Sequence, residues 1–210
     1  LVHLGSLYHD DVMDDAATRR TVDSVNFRWG NLKAILAGDF LLAKASEIAA
    51  SLGTEVAGLL ASTIARLCEG QVRELQDAYN IERTEPNYYS SIAGKTAALL
   101  ATACRIGGIV AELPRPLIDT LTTFGRCYGM AFQVVDDILD VTADSALLGK
   151  TAGKDAAADK PTYVSLLGLR ASQAFADELH AQAQRALDAS GLHQPERLRA
   201  LADMVVKRNN

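Results

Sequence analysis

The sequence predicts an all-α fold, a single bundle of helices. Apolar residues recur at three- and four-residue spacing along almost the whole chain, and runs that alternate apolar with polar are nearly absent. Breaks fall at Gly, Pro, Ser and Thr, without a linker or a repeat of fixed period.

Residues 1 to about 14 read as the end of a helix. Asp23 and Ser24 offer caps for a second helix reaching about Ser51, where Ser51-Leu52-Gly53 breaks it. Thr54, with Glu55 in the first turn, opens a third that extends to about Asn80. Pro86 suits the first turn of a fourth, expected to stop at Gly107-Gly108. Pro114 and Pro116 open a fifth that ends near Val141. The polar stretch 142–160 reads as a long loop, and Pro161 starts closing helices punctuated by Gly191 and Pro195.

The 210 residues, 49% hydrophobic and 22% charged, suit one domain with a sizeable core. A net charge of −5 argues against a nucleic-acid surface, which needs clustered base. The longest uncharged run is ten residues, Val56 to Ala65, so no transmembrane segment is expected. No secretory leader is read at the start. Cys68, Cys104 and Cys127 are odd in number and form no CxxC pair; they read as reduced, mostly buried thiols of a cytoplasmic protein. The chain opens on Leu1 inside an apolar run without a capping residue, so an upstream segment is expected to be missing.

Chemistry concentrates in two clusters, Asp10-Asp11-Val12-Met13-Asp14 and Asp136-Asp137-Ile138-Leu139-Asp140, each reading D-D-x-x-D near the end of an apolar helix. On a helix, residues four apart share a face, so Asp10 stacks on Asp14 and Asp136 on Asp140. Like charges at that spacing, near a helix C-terminus, are mutually unfavourable. A hard divalent cation offsets this, since Mg²⁺ takes one or two carboxylates and completes its shell with water and phosphate. All six aspartates are candidate ligands, expected to share divalent ions with a polyphosphate. Solvated acidic helix ends are the bland alternative, disfavoured because Leu7, Tyr8, Val12 and Met13 flank one cluster and Phe132, Val134, Val135, Ile138 and Leu139 the other. Base follows each cluster: Arg19-Arg20 after the first, Lys150, Lys154 and Lys160 after the second. Lys95 lies in an otherwise apolar stretch, Ile92 to Ile106, where a charge needs a partner; a bound anion would serve, and a lysine reaching outward along its stem is the alternative.

His9-Asp10-Asp11-Val12-Met13-Asp14 with Thr18-Arg19-Arg20, and Phe132-Gln133-Val134-Val135 before the second cluster, resemble the two aspartate-rich motifs of the trans-polyprenyl diphosphate synthases. Trp29-Gly30-Asn31, Leu36-Ala37-Gly38-Asp39-Phe40-Leu41, Glu69-Gly70-Gln71 and Gly94-Lys95-Thr96 resemble further blocks of that family, and the likeness spans Leu1 to about Thr162. It implies an isoprenoid synthase bundle, here residues 1–210 without its N-terminal helices. It implies a transferase that condenses an allylic diphosphate with isopentenyl diphosphate, using three Mg²⁺ ions and acting as a homodimer.

The same resemblance implies roles. Asp10 and Asp14 hold two metals and Asp136 a third, with Asp140 close behind, and Glu74 also faces the metals. Arg19, Lys95, Lys150 and Lys160 grip the allylic diphosphate; Arg20 and His3 contact isopentenyl diphosphate. Lys95, Thr96 and Gln133 line the place where the allylic cation forms. His9, about 100° round the helix from Asp10, is expected to face a neighbouring helix. Ser6 lies one turn, about 5.4 Å, before Asp10, with Gly5 beside it and Val2 a turn further. Gly5 and Ser6 are small and Val2 is modest in size, so by this resemblance the chain-length pocket is open, which implies a product beyond twenty carbons.

The family's upstream Gly-Lys-Arg block is absent, and Thr21 stands where Gly commonly follows the paired arginines. Three rival readings remain. A class I terpene cyclase has one such cluster but normally a second motif mixing Asn, Ser or Thr with Glu. A non-catalytic partner subunit usually loses one cluster. A purely structural bundle would tolerate Asp10→Ala and Asp136→Ala without any activity to lose.

Overall fold

A computed structural model describes residues 1–77, 84–142 and 162–207. The expected loop, with Lys150, Lys154 and Lys160, lies outside the described residues. The chain divides into two compact units, 1–64 and 65–210.

In the first unit, α1 (Val2–Met13) packs on α3 (Asn31–Ser51), with the short α2 (Val25–Trp29) beside both. The α1–α3 crossing is close because two glycines meet there. A Cβ on Gly5 would stand 3.0 Å from the Gly38 carbonyl oxygen, and one on Gly38 would run into the His9 ring. His9 thus faces α3 as expected, its Nε2 lying 3.1 Å from the Ile35 carbonyl and 3.3 Å from Asp39.

Ser24 caps α2 by accepting from the Phe27 amide at 3.3 Å. The single helix expected from Ser24 to Ser51 is two, because Gly30 at φ 88° breaks the run. That backbone conformation favours glycine over any residue with a Cβ.

A two-stranded ribbon, β1 (Thr18–Arg19) and β2 (Val22–Asp23), was too short for periodicity to reveal. Its two-residue turn places Arg20 at φ 52° and Thr21 at φ 68°, the left-handed pair a tight hairpin requires. Threonine is unfavourable there, since a β-branched residue crowds in that region. Replacing Thr21 with Gly is expected to stabilise the fold by about 1 kcal/mol, the left-handed cost less part of glycine's entropy. Urea denaturation would show a raised midpoint; a lowered one would mean the Thr21 hydroxyl, which donates to the Arg20 carbonyl at 2.6 Å, outweighs the strain.

α4 (Thr54–Asp77) begins in the first unit and ends in the second. The second unit is built around α7 (Arg115–Thr142). Before it come α5 (Glu85–Ile92), a π-helical turn (Ala93–Ala97) and α6 (Ala98–Val110). After it come α8 (Tyr163–Leu167), α9 (Leu169–Ser190) and α10 (Glu196–Val206). Met130, Val134, Val135 and Ile138 of α7 pack with Leu179, Ala176 and Val205, and Leu121, Phe124 and Cys127 with Ala183, Leu187 and Ala202.

The Gly107-Gly108 pair does not end a helix. Gly108 is buried, and a Cβ there would crowd Ile118 at 3.1 Å, so its role is close packing. The reversal falls at Glu112, with φ 54°, where the Glu112 and Leu113 amides donate back to Ile109 and Gly108. The continuous helical run Glu85–Val110 is long and apolar enough to cross a bilayer by length and composition. Lys95 and Arg105 interrupt this stretch, Lys95 is ion-paired, and Ala97, Ala98, Thr102 and Gly108 are buried.

Among the cysteines, Cys68 is exposed rather than buried; all three are free. Burial pushes the Cys104 thiol up to about 11 and the Cys127 thiol upward as well, so both resist forming thiolate.

Candidate functional site

The first aspartate motif closes α1. Asp14 is the C-cap, still in helical conformation, and its amide donates to the Asp10 carbonyl at 2.8 Å. That bond sets Asp10 and Asp14 one turn apart on one face. Asp10 is half-buried and Asp14 exposed.

Asp11 is different: it is 1% exposed and accepts from Arg19 Nε at 2.9 Å and Nη2 at 2.5 Å. Both guanidinium donors converge on Oδ1, a charge-assisted contact that compensates the burial of this carboxylate. Asp11 thus tethers the ribbon to α1, and Arg19 is a held base and not a freely swinging one. Arg20, at the ribbon turn, is exposed. Asn26 ties the same corner together, donating from Nδ2 to the Asp11 and Ala16 carbonyls at 3.1 Å each.

His3 has its pKa lowered, first by partial burial and next by the Arg20 guanidinium, with Asp10 opposing. The ring thus stays neutral further into acid than a free histidine.

The chain-length residues do not all line space. Val2 and Gly5 are buried, and Gly5 lies against Gly38, Leu41 and Leu42 of α3. Gly5 serves the α1–α3 crossing, where a side chain would be tight against the Gly38 carbonyl. Ser6 is half-buried and donates to the His3 carbonyl at 2.9 Å.

The second motif lies in the last turns of α7. Asp136 is half-buried, while Asp137 and Asp140 are 3% and 2% exposed. Asp137 accepts from Gln133 Nε2 at 3.1 Å on Oδ1, and on Oδ2 from the Tyr88 hydroxyl and, at 2.9 Å, the Tyr163 amide. Gln133 in turn accepts from the Thr96 hydroxyl at 2.9 Å. The two polar side chains expected to line a cation site are thus bonded to each other. Asp140 and Asp137 are buried where the sequence reading expected ligands facing a cavity.

Lys95 and Thr96 sit in the π-helical turn. A Cβ on Gly70 of α4 would come within 2.7 Å of the Lys95 amide nitrogen, and one on Gly94 would stand 3.0 Å from the Arg66 carbonyl oxygen. This backbone-on-backbone approach accounts for the glycines of both blocks, and π-bulges of this kind recur at functional sites. Lys95 Nζ pairs with Glu74 at 2.8 Å, both side chains largely covered. Its partner in the structure is this carboxylate, which supplies the counter-charge that a lysine in an apolar stretch needs.

Tyr163 is the residue that sequence reasoning missed. Its hydroxyl donates to Glu85 at 2.6 Å, and burial, then that carboxylate, pushes its pKa upward. Its ring stacks on Phe175 at 4.8 Å and lies near Tyr88.

Among the described residues, no three His, Cys, Asp or Glu side chains converge to hold a metal unaided. Asp10 and Asp14 in the first unit, and Asp136 in the second, each retain access, and Mg²⁺ that arrives with its phosphate needs few protein carboxylates.

Comparison with known proteins gives the same answer throughout. The sequence profile of the family described as Polyprenyl synthetase matches residues 1–195. Heptaprenyl diphosphate synthase component 2 of Geobacillus stearothermophilus is 41% identical over 156 residues, 74% of this chain and 49% of that protein. Nonaprenyl diphosphate synthase of Mycobacterium tuberculosis is 41% identical over 173 residues, 82% of this chain and 51% of its own length. The chain spans about half the length of the curated relatives it matches. A crystal structure of polyprenyl synthase from Caulobacter crescentus CB15, complexed with calcium and isoprenyl diphosphate, superposes with a TM-score of 0.93 at 27% identity. That match covers 100% of this chain and 76% of the other. Two aspartate motifs on helix ends, an all-α fold and a profile match over nearly the full length together establish that the chain belongs to the polyprenyl synthetase family.

Proposed function

We propose that this chain carries the metal- and diphosphate-binding part of a prenyltransferase that adds isopentenyl diphosphate to an allylic diphosphate, giving a polyprenyl diphosphate longer than twenty carbons. The observation that carries the reading is that Asp10, Asp14 and Asp136, one or two from each D-D-x-x-D motif, keep solvent access, whereas Asp11, Asp137 and Asp140 are buried.

In this reading Asp10, Asp14 and Asp136 would hold Mg²⁺, three ions in all, with Glu74 and Asp140 behind them. The ions supply charge neutralisation for a departing diphosphate. Arg19, fixed by Asp11, offers its guanidinium from a set position and Arg20 offers a second. Neutral His3 can accept or donate a hydrogen bond beside them without adding charge. Lys95 exchanges part of its Glu74 contact for an anion. The Gln133 and Thr96 dipoles face a developing allylic cation without supplying a nucleophile, and none is needed because the alkene of isopentenyl diphosphate attacks. Small side chains before Asp10 favour a long product, with Ser6 the position that retains access.

A homodimer and a cytoplasmic location complete the proposal. The Geobacillus relative is called a component, so a heteromeric enzyme is the alternative, which sedimentation of the full-length protein would reveal. The deciding experiment supplies that protein with Mg²⁺, isopentenyl diphosphate and a set of allylic starters, with products read by mass. Chains beyond twenty carbons, formed only with isopentenyl diphosphate, are expected. Product formed without it would indicate a cyclase, and no Mg²⁺-dependent diphosphate binding would indicate a non-catalytic subunit.

A further inference from the structure

Asp137 lies one residue after a candidate ligand, yet it has little of the access that a ligand needs. It is 3% exposed and sits between Val134, Val135, Ile138 and Leu139 of α7, all buried. A carboxylate in such a setting is costly unless donors satisfy it. Here they do. Gln133 Nε2 donates to Oδ1, and the Tyr88 hydroxyl and Tyr163 amide donate to Oδ2. One side chain therefore joins α5, α7 and the first residue of α8.

The joined residues are themselves held. The Tyr163 hydroxyl donates to Glu85 at the start of α5, and its ring stacks on Phe175 of α9. Thr162 and Ser165 close a reciprocal capping box round the α8 N-terminus. Through Gln133 and Thr96 the network also reaches the π-helical turn that carries Lys95. A buried, satisfied polar network of this kind specifies one geometry.

We propose that Asp137 is a positioning residue and not a metal ligand: with Tyr88 and Tyr163 it clasps α5 and α8 to the last turns of α7 and so sets where Asp136 stands. The inference rests on the reading of Asp136 as a ligand. Its chemistry separates the two roles through one conservative substitution. In Asp137→Asn the amide oxygen can face Tyr88 and Tyr163, leaving Nδ2 toward Gln133. Gln133 can turn its amide over to accept, because the Thr96 hydroxyl accepts as readily as it donates. The clasp survives without the charge. A metal ligand does not survive that change, since Mg²⁺ binding depends on the carboxylate.

The test uses full-length protein and three measurements: turnover, Mg²⁺-dependent binding of inorganic pyrophosphate by calorimetry, and hydrogen exchange of the Tyr163 amide in chelator. Asp137→Ala is expected to lose turnover by on the order of 10²-fold through misplacement. Its Tyr163 amide is expected to exchange faster by on the order of tenfold. Asp137→Asn is expected to recover most of that turnover and to keep slow exchange. Should Asp137→Ala fail to fold, Tyr88→Phe removes one donor alone and is expected to speed Tyr163 exchange. The proposal is overturned if Asp137→Asn loses as much turnover as Asp137→Ala and needs more Mg²⁺ for pyrophosphate binding. It is equally overturned if Tyr163 exchange is unmoved in every variant. A parent that binds no pyrophosphate with Mg²⁺ would remove the enzymatic reading, while the exchange data would still decide whether the clasp exists.

Discussion

Replacing Asp10 or Asp136 with alanine is expected to lower kcat by about 10³-fold or more, because each removes charge that would hold a metal against the leaving diphosphate. Asp10 repels Asp14 one turn away, and both lie at the unfavourable end of the α1 dipole. Without metal, Asp10→Ala should keep or slightly raise the melting temperature. This opposite movement of activity and stability separates a functional carboxylate from a structural one. Steady-state rates across a Mg²⁺ titration, beside thermal melts in chelator, would measure both. If the two motifs serve one turnover, the double variant should be little worse than either single one, since groups acting as a unit are non-additive. A variant that melts earlier yet turns over normally would assign these aspartates to structure.

Gly125→Ala and Gly129→Ala are expected to destabilise the second unit by about 3 kcal/mol each, at the upper end of overpacking costs. A Cβ on Gly125 would stand 2.7 Å from the Leu100 carbonyl oxygen and 2.9 Å from the Ala101 Cα. One on Gly129 would stand 2.6 Å from the Ala97 Cα. The obstacles are mostly backbone, which cannot rotate aside. Ala97 closes the turn that holds Lys95 and Thr96, and Gln133 lies one turn beyond Gly129. Gly129→Ala should therefore also part Thr96 from Gln133 and lower turnover. Gly107→Ala is the control. Nothing lies within 4 Å of its added methyl, and helix propensity should stabilise it by about 0.5–1 kcal/mol. Urea denaturation of the three variants gives the comparison, and equal midpoints would contradict the close α6–α7 approach.

Much of the candidate site was legible because helical periodicity is a strictly local rule. The stacking of Asp10 on Asp14 follows from four-residue spacing, and the direction of His9 from its 100° offset. Ser24, Gly191 and Pro195 punctuate helices where their side chains or backbone preferences say they should. Periodicity failed where a local element depends on a distant approach. Glycine at positions 107 and 108 suggests a helix stop, yet Gly108 is needed against Ile118. Small residues at 5 and 6 suggested an open pocket through the family resemblance, and what they do not show is that Gly5 lies in the α3 crossing.

By itself the sequence determined the all-α class, the two aspartate motifs and the family, since each is carried by residue type and spacing along one chain. Tertiary structure alone decided which of those aspartates face solvent and which are clasped. Asp10 and Asp11, like Asp136 and Asp137, are chemically identical neighbours that periodicity places on different faces without saying which face is covered. Their fates differ because partners far along the chain, Arg19 for one and Tyr88 and Tyr163 for the other, supply hydrogen bonds only once the helices have packed. The same holds for Lys95, whose counter-charge, Glu74, comes from a separate helix.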